Sequence, residues 1–240
     1  MAEGTLDGEL AALLWLLVQG SVPLIVTGEV DHATHAAVAA ALLGAAPAAA
    51  VAIIDADRGA PPADVLGSHL QAGTRVALTV HARDLGAAME ALSAPPRSLP
   101  EDAVRRLGLV MVLADESTLR AAAVHYLRPT ERDAQGHLQR RPHAVLATWD
   151  PTAGAFDHFA WGVMPELADR IDRSRSDLER RQASRAVLLA HLAHGDRSDP
   201  TIPDRLAHHV AAEPPREPAP VRRAASPLQR ESGPGQPHIH

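Results

Sequence analysis

The chain has 240 residues, with 23 basic and 29 acidic side chains and a formal net charge of −6 when histidine is neutral. Every basic residue is an arginine, and lysine, asparagine and cysteine are absent. These counts exclude a disulfide scaffold, a thiolate metal site, a cysteine nucleophile and any clamp that needs a lysine. The mild acidity argues against a protein built to coat nucleic acid.

Apolar types make up 46% of the chain but aromatics only 2%, so the core must be built from Ala, Leu and Val. The length suits one large domain or two small ones. The longest apolar run, Leu10–Val18, is far shorter than the ~20 residues of a membrane span. No basic stretch precedes it, so it does not resemble a secretory signal, and the expectation is a cytoplasmic protein.

In chain order, Leu6, Leu10, Leu13, Leu14 and Leu17 recur at helical spacing up to Gly20. Val22–Thr27, closed by Gly28, has the character of a buried strand. An Ala-rich helix over 33–43 follows, then a strand over Val51–Ile54, a helix near 63–71, a strand over Arg75–Val80 and a helix over 84–92. Strands alternating with short helices predict a parallel sheet covered on both faces. Beyond Pro100 come a short helix at 101–106 and apolar stretches at 107–113, 120–127, 144–150 and 156–161, expected as antiparallel additions to the sheet edge. Residues 164–194 are expected as one long charged helix with Leu167, Ile171, Leu178, Val187 and Leu188 on or near one face. Residues 1–195 form the expected domain. Residues 196–240 are expected as a Pro- and Arg-rich tail, without periodicity and disordered over 213–240.

A strand, a glycine and a loop that opens a helix is where parallel-sheet proteins hold phosphate. Here that place is Gly28-Glu-Val-Asp-His-Ala-Thr-His35. A phosphate loop would need glycine at 33, lysine at 34 and serine or threonine at 35, where the chain has Ala33, Thr34 and His35. Glu29 and Asp31 add negative charge where an anion would sit, so the loop should repel a polyphosphate. The next strand ends in Asp55-Ala-Asp-Arg-Gly59, a position that holds Mg²⁺ and polarises water in nucleotide hydrolases. His81 closes the third strand in Leu78-Thr-Val-His-Ala-Arg-Asp84.

In the order of these parts, residues 8–195 resemble the secretion and type IV pilus motor ATPases, a RecA-like branch of the P-loop NTPases. Thr79, His81 and Ala82 look like the family's histidine box, and Arg58-Gly59 like the end of its second acidic motif. The resemblance implies an α/β fold with a RecA-like, mostly parallel sheet flanked by helices and carrying added antiparallel strands. Gly28, Thr34 and His35 would then be a degenerate nucleotide-binding loop. Asp55, Asp57, Arg58 and His81 would be vestiges of the catalytic set. The phosphate-binding lysine falls on Thr34 and the motif glutamate on Ala56, and only 15 residues separate His35 from Val51. The implied function is a catalytically impaired assembly or regulatory subunit that needs no cofactor. Its partner would be an active motor paralogue or a membrane platform protein, with a homo-oligomer as a further option.

Two alternatives stay open. One is a weakly active ATPase, with Asp55 or Asp57 holding Mg²⁺ for ATP and a neighbouring subunit's arginine replacing the lysine. The other is a histidine-rich metal-binding module: His32 and His35, with Asp31 beside them, and His191 and His194 have the i, i+3 spacing of one helix face. A serine hydrolase is disfavoured, since no G-x-S-x-G elbow occurs.

Overall fold

Four helices of the chain start on a side chain that caps their first free amides. Asp7 opens α1 (Gly8–Gln19), Asp31 opens α2 (His32–Gly44), Asp84 opens α4 (Leu85–Ser93) and Ser174 opens α7 (Arg175–Ala193). The remaining helices are α3 (Ala63–Gln71), α5 (Glu101–Arg106), α6 (Met164–Arg170) and α8 (Ile202–Ala212). The strands are β1 (Leu24–Gly28), β2 (Val51–Asp55), β3 (Arg75–His81), β4 (Leu109–Asp115), β5 (Leu119–Tyr126), β6 (Glu131–Arg132), β7 (Leu138–Gln139), β8 (Ala144–Asp150) and β9 (Ala155–His158). This computed structural model describes residues 4–45, 50–58, 63–115, 118–132, 135, 137–195 and 199–219.

The protein is α/β, with a mixed sheet of seven strands in the order β2-β3-β1-β4-β5-β8-β9. β2, β3, β1 and β4 run parallel, and β5, β8 and β9 join antiparallel, as predicted for 120–127, 144–150 and 156–161. The stretch 107–113, expected to be antiparallel with them, instead gives β4, which pairs with β1 in parallel and completes the parallel part of the sheet. β6 and β7 form a separate ribbon inside the polar segment 129–143. Alternation along β1 splits the core. Leu24 and Val26 pack with α1, α2, α6 and α7, while Ile25 faces α3, α4 and α5 with Val76, Leu78 and Val110. α1 is buried from Leu10 to Val18, which explains its unbroken apolar run.

Two further expectations are corrected. The charged stretch 164–194 is two helices: the chain turns between them with Asp172 at φ +52°, and Ser174 caps the second through the Asp177 amide. The packed face of α7 holds Asp177, Leu178, Arg181, Arg185 and Leu192, whereas Val187 is 72% exposed. The tail is not featureless either. It contains α8, and Glu213 beyond it returns to α7 to bind both Arg181 and Arg185. Arg185, fully buried, also lies 4.2 Å from the ring centre of Trp15 and donates to Gln19. A buried guanidinium needs its carboxylate, so these pairs tie residue 213 to the domain. Residues 220–240 lie outside the described residues.

On the antiparallel side, His125 on β5 sits against His143, ring centres 5.7 Å apart. Burial first, and the neighbouring imidazole second, push its pKa down to about 4 from 6.5. Between these two values the unfolded chain takes up a proton that the folded chain refuses. Stability complete above pH 6.5 is therefore lost as pH falls towards 4, by up to about 3 kcal/mol. Urea unfolding at pH 7 and pH 4.5 should show His125→Leu losing less stability on acidification than the wild type, by about 2 kcal/mol. An equal loss in both proteins would contradict this.

Candidate functional site

The parallel strands β1, β2 and β3 end side by side at Gly28, Asp55 and His81. The chain leaves β1 towards the α2 face and β3 towards the α4 face. Their carboxyl ends therefore flank a topological switch point, the place where open α/β sheets form a crevice. Gly28 pairs with His81 in register and has φ +143°. A Cβ there would lie 2.2 Å from the Leu113 carbonyl oxygen, so β4 approaches too closely for any other residue.

The segment that ought to hold phosphate is already occupied by its own carboxylate. α2 begins at His32, and the Asp31 carboxylate accepts the Thr34 amide at 2.7 Å and the Thr34 hydroxyl at 3.0 Å. The backbone bond from Thr34 is the main cause that holds the Asp31 pKa below the usual carboxylate range. Glu29 is exposed at the same loop. His35, at the position a P-loop gives to a hydroxyl, is fully buried, and its ring nitrogens make no well-formed hydrogen bond, with only the Gly28 backbone near the ring. Burial, then the neighbouring His81 and His32, lower its pKa, so it is neutral at pH 7.

The acidic strand end faces the same crevice. Asp55 accepts the Asp57 amide at 3.0 Å, and Asp57 accepts the His81 backbone amide at 2.7 Å. Arg97, from the loop after α4, binds the other Asp57 oxygen and the carbonyls of Ala56 and Ala91. Arg58 Nε lies 3.4 Å from Asp55. His81 Nδ1 is 3.2 Å from the Val30 carbonyl, a partner that can only accept, so Nδ1 is the donor of that bond. Across the crevice, His32 Nδ1 is 3.7 Å from an oxygen of each aspartate. The rings of His32, His35 and His81 form a triangle with centres 6.2–6.4 Å apart.

Of the residues singled out in the sequence, Gly28, His35, Asp55, Asp57, Arg58 and His81 come together here. Thr34 is turned aside to Asp31. The suggested grouping of His32 and His35 with Asp31 does not form, because Asp31 is spent as the cap of α2. Nor do His191 and His194 join a carboxylate among the described residues. Among the described residues, only His32, Asp55 and Asp57 bring three potential ligand atoms within 4.8 Å of one another. Two participants carried no signal of their own. His32 was visible only as half of an i, i+3 pair, and Arg97 arrives from 40 residues beyond the aspartate that it binds. Gly59 lies outside the described residues.

No protein-family model matches the chain, and no curated protein is significantly similar to it. No helix among the described residues is long and apolar enough to cross a membrane.

Ala56, where the motif glutamate would fall, does not face the crevice. In the turn after β2 the Ala56 methyl is buried in the core with Val76 and Leu78, while the Asp55 and Asp57 carboxylates reach His32. Ala56→Glu should therefore overpack that core and bury a carboxyl, lowering stability by at least about 2 kcal/mol in urea unfolding. A neutral effect would mean that position 56 opens on the crevice after all.

Proposed function

We propose that this chain is a non-hydrolysing relative of the secretion and type IV pilus motor ATPases, serving as an assembly or regulatory subunit. The observation that carries this is the Asp31 carboxylate on the α2 N-terminus, which fills the place of a phosphate with a fixed negative charge. Phosphoryl transfer is driven by amides and cations aimed at the charge that develops on the transferred group. Here an amide at the right end of the helix is consumed by Asp31, and the chain has no lysine to replace it. His35, neutral and buried, offers neither a hydroxyl for Mg²⁺ nor a charge for phosphate.

Support for the RecA-like ancestry lies in the convergence of parts. The glycine turn, the acidic strand end and the histidine, which are far apart in the chain, meet at one switch point of a parallel sheet. A role through partners is supported at β2. It lies at the sheet edge, no strand pairs with its outer side among the described residues, and Val51 and Ile53 are 47% and 37% exposed. An active motor paralogue or a membrane platform protein is the partner this subunit role calls for.

Calorimetric titration of Mg²⁺–ATP into the full chain is the test. No binding below millimolar concentration is expected. Micromolar binding would sink the proposal and make the chain a working motor.

A further inference from the structure

The same crevice that is closed to anions has the makings of a cation site. His32 Nδ1 is shielded from solvent and makes no hydrogen bond. It stands 3.7 Å from Asp55 and 3.7 Å from Asp57, too far for a hydrogen bond to either. Two ligands each ~2.1 Å from a tetrahedral ion lie ~3.4 Å apart, so His32 Nδ1 is within a few tenths of an ångström of that spacing from each aspartate, and the three atoms lie within 4.8 Å of one another. A second observation is independent of the acidic pair. His35 is fully buried beside His32 and His81 with no well-formed hydrogen bond to either nitrogen and only the Gly28 backbone near its ring, a costly arrangement that an ion or its bound water nearby would relieve. The environment also sets the donors. Arg97 holds one oxygen of Asp57, and the His81 backbone amide holds the other where it faces His32.

We infer that His32, Asp55 and Asp57 bind a divalent transition-metal ion at the carboxyl ends of β2 and β3, with an open position for water. One imidazole and two carboxylates suit Zn²⁺ or Co²⁺ better than the all-oxygen shell preferred by Mg²⁺ or Ca²⁺. Arg58, largely exposed and 3.4 Å from the same Asp55 oxygen that faces His32, is the internal competitor for the ion. The site stands whether or not the chain descends from a motor ATPase. A negative zinc result and a positive ATP result would be separate failures.

The test uses the full chain stripped with a chelator, titrated with Zn²⁺ by calorimetry and with Co²⁺ by visible absorption. One tight equivalent with four-coordinate Co²⁺ bands is expected, above weaker binding by the other histidines. His32→Ala and Asp55→Asn should each weaken that equivalent more than about 100-fold. His191→Ala/His194→Ala should leave it intact, and Arg58→Ala should tighten it severalfold. His32 is partly exposed, so its variant should fold, and Asp55→Asn reports independently if it does not. Absence of a tight equivalent in the wild type, or its survival unchanged in either ligand variant, would overturn the inference.

Discussion

The carboxylate of Asp31 on the first free amides of α2 is the contact from which the character of this crevice follows. A helix N-terminus at the end of a parallel strand is an anion site by default, because its amides and dipole point outward unpaired. Asp31 cancels that default from within the chain. With Glu29 beside it, and Asp55 and Asp57 across the crevice, the local field favours positive charge. What the fold would ordinarily offer to a phosphate it offers here to a cation.

The other contacts arrange this field rather than oppose it. Asp57 joins three parts of the chain, taking the His81 amide from β3 and Arg97 from the loop after α4 while keeping an oxygen towards His32. Gly28 allows β1 to end hard against Leu113, which sets the depth of the crevice. His35, buried and neutral, lines it without adding charge. Where a phosphate loop would need a lysine and a hydroxyl the chain has Thr34 and His35, and the carboxylates of Asp31, Asp55 and Asp57 set the charge around them.

Much of the fold was legible because its signals are local. Short continuous apolar runs closed by turn residues marked the parallel strands, and leucines at helical spacing marked α1. The break between α6 and α7 was not legible: the turn at Asp172 takes positive φ without glycine or proline to announce it. Nor was the inward face of α7. Arg181 and Arg185 look like solvated charges in sequence and become core residues only because Glu213, Asp177 and Trp15 meet them in space. At the crevice, Asp55, Asp57 and His81 stood out by their positions at strand ends. The correct partners of His32 did not, since spacing shows which residues share a helix turn and not which strand end lies opposite.

The most direct measurement is a crystal structure of the full chain grown with both Zn²⁺ and ATP, read by anomalous scattering at the zinc edge. The account predicts one strong peak between His32, Asp55 and Asp57, with the Asp31 carboxylate still on the Thr34 amide and no phosphate along residues 28–35. Triphosphate density wrapped by that loop, with Asp31 displaced and no zinc among the three ligands, would contradict it.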